Sequence, residues 1–272
     1  MGRLKNMRER FASSFNMMLT CRAGMEKQTG KLLFLRAALN SIFCVFWTVF
    51  CFFPAALALL VFDRGKLSHL VVRKLWVSVM LRVCGAKVEI RGRENFDRHR
   101  PYIFVSNHQS LYDIIALFHA TENNLRFVAK KSLYFVPFLG QYLSLAGHIK
   151  VDRSNRQQAI RSLEKAGEKI RRGVSVISFP EGTRSADGQV KPFKKGAFML
   201  ALQARVPLVP VSVSGSNLVL PKKTLLVFPG RIKVMFAPPI DPAQYGAQRR
   251  DELIEKVHQI IVENKSILER EE

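Results

Sequence analysis

The sequence predicts an α/β fold: a mixed β-sheet flanked by helices, preceded by an N-terminal helical membrane anchor. Three observations carry that reading. From Lys87 onward, short β-rich runs alternate with stretches of helical periodicity, the pattern that covers a sheet with helices. Before them, Ala37 to Phe62 carries no charge. That is about 25 residues, enough to cross a hydrocarbon core of about 30 Å. Lysine and arginine total 43 against 21 acids, a net charge of +22 over 272 residues. So basic a chain calls for an anionic partner: nucleic acid, an anionic membrane surface or a phosphorylated substrate.

In chain order, residues 1–36 are basic and weakly patterned, which predicts loose structure. Asn6 stands where a myristoylation signal needs Ser or Thr, so lipidation is not expected. The uncharged run is too long, and starts too far from Met1, for a signal peptide. Basic residues flank it on both sides, Arg22, Lys27, Lys31 and Arg36 before and Arg64, Lys66, Arg73 and Lys74 after. Charge therefore gives no orientation. Two arrangements fit: a re-entrant pair of helices bent near Pro54, or a single tilted span. Lys66 to Cys84 follows, with Leu67, Leu70, Val71, Leu75 and Val79 at helical spacing. That pattern suits an interfacial helix and a core-packed one alike.

Seven runs then read as strands: "KVEIRG", "YIFVSN", "LRFVAK", "HIKVDR", "VSVISF", "VPLVPVSVSG" and "RIKVMF". Helical periodicity marks Gln157–Arg172, Gly196–Ala204 and Arg249–Leu268. The expected division is a basic segment over 1–36, an anchor and interfacial helix over 37–84, and a catalytic domain over 85–272. Cys21, Cys44, Cys51 and Cys84 form no C-x-x-C pair, so they read as reduced and structural, with no metal site.

The chemistry concentrates in two places. In "NHQSLYD", His108 and Asp113 would lie about 140° apart on one regular helix, too far round to cooperate. Ser110 and Asp113, however, have the form of a capping box. With Ser110 at the N-cap, the entering loop can fold His108 back onto Asp113, giving a base and its orienter. An N-capped surface helix with an incidental histidine explains the same residues. The second place is "FPEGTRS", where Gly182 permits a tight turn that sets Glu181 and Arg184 at a strand end. A guanidinium there matches phosphate oxygens, and an ordinary turn with a Glu–Arg surface pair would look the same. Lys130, Lys131, Arg153, Lys194 and Lys195 fall at element edges and together could frame a phosphate. There is no G-x-S-x-G, P-loop, G-x-G-x-x-G or H-E-x-x-H, which disfavours serine hydrolase, nucleotide-driven and zinc-protease chemistry.

"NHQSLYD", "GHIKVDR", "FPEGTRS" and "VPLVPVSVSG" occur in that order, joined by "VAKKSL", Pro137–Gly140 and "FKKGAF". In these blocks the chain resembles the glycerolipid acyltransferases, specifically the 1-acylglycerol-3-phosphate acyltransferases, over roughly Lys87 to Asp241. The resemblance implies direct acyl transfer from acyl-CoA or acyl-carrier protein to a lysophospholipid hydroxyl at a membrane. No cofactor, metal or nucleic acid would be involved. It makes His108 the general base and Asp113 its orienter. It sets Glu181, Gly182, Thr183 and Arg184 at the acceptor, with Glu181 on the glycerol part and Arg184 on the phosphate. Arg153, Lys130 and Lys131 would support that site. His148 and Lys150 depart from the family's apolar or small residues, and His148 reads as a strand-edge or surface histidine. The resemblance also implies a location on the cytoplasmic face of a bacterial inner membrane or on the endoplasmic reticulum. Another lyso-lipid or glycerol 3-phosphate remains open as acceptor. A basic membrane-surface or nucleic-acid-binding protein without activity remains the rival class.

Overall fold

The structure, a computed structural model, describes residues 30–61, 66–151 and 166–271. All seven expected strands form one sheet: β1 (Ala86–Arg91), β2 (Ile103–Ser106), β3 (Leu125–Lys130), β4 (Ile149–Val151), β5 (Ser175–Ser178), β6 (Leu208–Ser214) and β7 (Gly230–Phe236). Their order across the sheet is β1-β7-β6-β2-β5-β3-β4. The five strands from β6 to β4 run parallel, while β7 pairs antiparallel with β6 and parallel with β1. β2, β5 and β6 are buried at every residue, serines included, as a sheet covered on both sides requires.

Alternate residues along these strands feed two cores. Phe104, Ile177 and Val211 face one side, where α1 (Gly30–Val61), α2 (Lys66–Val71), α3 (Ser78–Cys84) and α4 (Tyr112–Ala120) pack. Ile103, Val105 and Val176 face the other, against α6 (Gly196–Ala204) and α8 (Arg250–Arg270). Between these come α5 (Leu139–Leu145) and the short α7 (Ser216–Val219). Of the helix expected over 157–172, residues 166–171 are helical and the residues before 166 lie outside the described ones.

Three expectations change on the first side. The helix α1 begins at Gly30, ahead of the uncharged run, so residues 30–36 are helical where loose structure is expected. It runs unbroken through Pro54, in place of a bent pair. One stripe lies along the domain through Ala37, Asn40, Cys51, Ala55 and Ala58, while Leu39, Phe46, Phe50, Leu57 and Leu60 stay exposed on the opposite side. The polar groups of the apolar run find partners on the domain: Asn40 Nδ2 donates to Val227 O at 3.0 Å, and Trp47 Nε1 to Leu75 O at 3.2 Å. The Cys44 and Cys84 sulfurs lie 3.4 Å apart as free thiols, and Cys21 lies outside the described residues.

The third change concerns Lys66–Cys84. This segment is buried at Ser68, His69, Val72, Val77, Met80, Leu81 and Cys84; of the five residues that periodicity singles out, Val71 alone packs against the core, partly buried. A π-helical stretch, Val72–Val77, interrupts it. An i→i+5 turn holds an extra residue, so it rotates everything beyond it relative to a 3.6-residue period.

Candidate active site

Val105 of β2 pairs with Ser178 of β5, so the carboxyl ends of the two strands are neighbours. The next helices, α4 after β2 and α6 after β5, pack on opposite faces of the sheet. Such a reversal opens a crevice at the strand ends, where open α/β sheets bind ligands.

Residues 107–111 leave β2 there. Asn107 Nδ2 donates to Val213 O at 2.9 Å, and Asn107 Oδ1 accepts from Val213 N at 2.8 Å. Asp113, wholly buried in the first turn of α4, gathers the loop onto one oxygen. Its Oδ2 accepts from Gln109 N at 2.7 Å, Ser110 N at 2.9 Å and His108 Nδ1 at 2.7 Å. The carboxylate half of the capping box therefore forms as expected. Ser110 Oγ accepts from Tyr112 N at 3.2 Å and donates to Leu220 O at 2.8 Å. A carboxylate accepts only, so the proton sits on His108 Nδ1 and leaves Nε2 a free lone pair. The imidazole stacks on Phe179, with ring centroids 4.0 Å apart and planes 19° from parallel. Its side chain keeps 14% exposure, so one edge reaches the crevice.

The loop after β5 closes on this one. Glu181 is buried, and both its oxygens are occupied: Oε1 accepts from His108 N at 2.7 Å and Oε2 from Lys191 N at 3.3 Å. Burial raises its pKa above the usual carboxylate value, against the pull of those two N–H donors. Ser185 N donates to His108 O at 2.7 Å, and Gln109 Nε2 to Gly188 O at 3.1 Å. The peptide groups on both sides of His108 are thus tied to the second loop. Gly182 turns at φ 75°, and a Cβ there would lie 2.8 Å from Lys194 Nζ. Thr183 is exposed, and Arg184 is half-buried. Among the described residues no carboxylate pairs with the Arg184 guanidinium, and its carbonyl accepts from Lys222 Nζ at 2.6 Å. Partial burial, with Lys191, Arg184 and Lys223 nearby, holds the Lys222 amine below the usual lysine range.

Several sequence expectations change here. Glu181 is buried and braces the two loops, each of its oxygens accepting one backbone N–H, a second task that the sequence does not show. Lys195 leaves the expected phosphate frame, because it pairs with Asp251 on α8 at 3.1 Å. Lys130 and Lys131 are exposed where β3 ends, and Arg153 lies outside the described residues. His148 is buried, not at the surface: its Nδ1 accepts from Phe127 N at 3.0 Å. Sequence reasoning missed Gln109, Phe179, Ser185 and Lys222. The first three sit inside the quoted blocks, whereas "PKK" at 221–223 signals only a basic turn. Among the described residues no three His, Cys, Asp or Glu side chains gather to hold a metal.

The loops after β2 and β5 thus bring to one crevice a His–Asp pair and an arginine with no carboxylate partner among the described residues, an arrangement suited to general-base chemistry on an anionic substrate. A family model described as Acyltransferase matches residues 87–214. A 1-acyl-sn-glycerol-3-phosphate acyltransferase of Escherichia coli K12 is 33% identical over 233 residues, 84% of this chain and 89% of that protein. Proteins of the same description from Saccharomyces cerevisiae and Limnanthes alba are 36% identical over 74% of the chain and 39% identical over 66%. The chain spans 64% of the Limnanthes protein's length and 67% of the yeast protein's. The crystal structure of the 1-acyl-sn-glycerophosphate (LPA) acyltransferase PlsC from Thermotoga maritima superposes with a TM-score of 0.74 at 28% identity. That match covers 86% of this chain and 97% of the other. The chain belongs to the 1-acyl-sn-glycerol-3-phosphate acyltransferase family.

Proposed function

We propose that the chain moves a fatty acyl group from acyl-CoA or acyl-carrier protein to the free sn-2 hydroxyl of 1-acylglycerol 3-phosphate, giving phosphatidic acid. The observation that carries the reading is the His108 imidazole, oriented by Asp113 at 2.7 Å with Nε2 left free. The acceptor hydroxyl attacks the thioester carbonyl carbon while its proton passes to Nε2. The tetrahedral intermediate then expels sulfur, the C–S bond breaks, and the imidazolium returns the proton to the thiolate. A positioned base of this kind supplies about 10²- to 10⁴-fold in rate. The thioester is already activated, so neither a protein acyl intermediate nor a bound cofactor is required.

Arg184, free of carboxylate partners among the described residues, holds the acceptor phosphate with Lys222 beside it. Lys130 and Lys131 add positive potential at the same end of the sheet. These cations read a phosphate and little else of the acceptor, which keeps other lysophospholipids and glycerol 3-phosphate as a second reading. The exposed apolar side of α1 and the charge of +22 support attachment to an anionic membrane. In this reading α1 is the anchor, α2 and α3 tie it to the protein, and 85–272 is the catalytic domain, facing the cytoplasm.

The test uses membranes carrying the full chain, a labelled acyl thioester and a panel of lyso acceptors, with wild type beside His108→Ala. Label entering phosphatidic acid from wild type alone supports the proposal. Label entering another lipid keeps the chemistry and changes the acceptor. No transfer from folded protein with either donor would leave a membrane-surface or nucleic-acid-binding role, read by salt-sensitive binding.

A further inference from the structure

The turn after β3 leaves apolar side chains facing out. Lys131–Phe135 forms a 3₁₀ turn and leads through Pro137 into α5. Phe135 is 74% exposed, and Leu133, Val136, Phe138 and Leu145 are exposed beside it. None of these residues belongs to the crevice, and neither core cluster includes them. Soluble monomers seldom leave large side chains exposed in one contiguous patch unless something covers it.

Three features say what covers it. The patch continues the outer side of α1: the Phe138 ring lies 5.5 Å from Phe52 and 6.1 Å from Phe53. Phe138 holds this position at φ 63° and ψ −49°, the centre of a tight turn closed by Leu139 N donating to Pro137 O at 2.7 Å, a backbone that a bulky residue seldom adopts. Lysines also rim the patch. Lys150 Nζ lies 5.2 Å from the Tyr134 ring and 5.8 Å from the Phe135 ring, and Lys130 and Lys131, where the turn begins, are exposed. Aromatic rings with snorkelling lysines mark the boundary between headgroups and acyl chains.

We propose that the Leu133–Phe138 turn is a second membrane-inserting element, which buries Phe135 and Phe138 in a bilayer alongside α1. It rests on the membrane part of the function proposed above. Interfacial elements of this kind sink about 5–10 Å into the headgroup boundary. Their depth would hold Lys130 and Lys131 among anionic headgroups, at the rim of the crevice. The bilayer, not a protein partner, is the occupant because the patch is continuous with an uncharged helix face and is edged by lysines.

The experiment places single added tryptophans in the full chain reconstituted into anionic vesicles with brominated acyl chains. Phe135→Trp reports the turn, Phe46→Trp the outer side of α1, and Val262→Trp the opposite side of the protein on α8. The emission each adds over wild type is compared with and without bromine. The inference expects bromine to quench the turn probe roughly as strongly as the α1 probe, with the α8 probe unaffected. Quenching of the α1 probe but not the turn probe would overturn it while keeping an α1 anchor. Quenching of neither would remove the membrane reading and this inference together. A turn probe shielded from acrylamide but untouched by bromine, with crosslinked dimers, would instead assign the patch to a second copy of the chain.

Discussion

His108 and His148 are built alike and set to opposite purposes. Each imidazole stacks on a phenylalanine, Phe179 at 4.0 Å and Phe127 at 4.2 Å, and each engages a partner through Nδ1. His108 Nδ1 donates to the Asp113 carboxylate, whereas His148 Nδ1 accepts from the Phe127 backbone N–H. The first bond leaves Nε2 a lone pair; the second puts the proton on Nε2 and the lone pair out of reach. The surroundings reinforce the difference. Burial, then Arg126 and Lys169, push the His148 pKa well below the usual histidine value. An imidazole is a base or a piece of core according to what meets its first nitrogen.

The largest expected effect breaks the working half of the comparison. His108→Ala should lower kcat about 10³-fold with membrane association intact, read by thioester turnover in sedimented membranes. Asp113→Asn should come next, at about 10²-fold in kcat. The amide can donate to Nδ1 and turn the tautomer round, so that His108 comes to resemble His148. Its signature is a loss in kcat with little change in the KM of the acceptor. Arg184→Ala should show the reverse split, raising acceptor KM about tenfold with kcat nearly kept. An unchanged KM would remove it from the phosphate site.

Two smaller effects test the other histidine. His148→Leu leaves the Phe127 N–H without an acceptor and should cost about 1–3 kcal/mol in stability, while kcat/KM for folded protein changes less than about threefold. A larger activity loss would mean that His148 works with the site after all. The pH dependence has a definite sign. His148 and His69, whose pKa is pushed down to about 3 by burial beside Arg126 and Arg73, bind protons more readily unfolded than folded. Their contribution is therefore complete above the unfolded value near 6.5 and is lost as pH falls below it. Each adds a slope of up to about 1.4 kcal/mol per pH unit to the acid side of the stability curve. Thermal midpoints between about pH 7 and pH 4 should fall less steeply for His148→Leu than for wild type.

The fold is largely legible in the sequence because strand and helix periods are local. All seven strand runs form, and Gly196–Ala204 has the expected bounds. The His108–Asp113 pair is legible for a similar reason, since a capping box fixes its own turn. What escapes depends on distant partners. His148 reads as a strand-edge or surface histidine, and its burial shows only once the sheet brings Phe127 against it. That Glu181 braces two loops escapes until its oxygens meet backbone groups 73 and 10 positions away. Beyond Val72, the buried face of Lys66–Cys84 is reset by a π turn that no residue type announces.

Asn107 has a consequence of its own. Its side-chain amide gives and takes one hydrogen bond with the Val213 backbone, as a peptide group would. The ladder between β2 and β6 thus gains one more rung, made from a side chain, after the main chain has already turned away. An open strand end beside a reactive site normally frays or strands a polar group. Here the sheet is sealed where the loop carrying His108 departs, and His108 starts from a fixed post. Asp or Leu is close to Asn in size, but neither can both give and take, so the seal tolerates no near neighbour in shape alone.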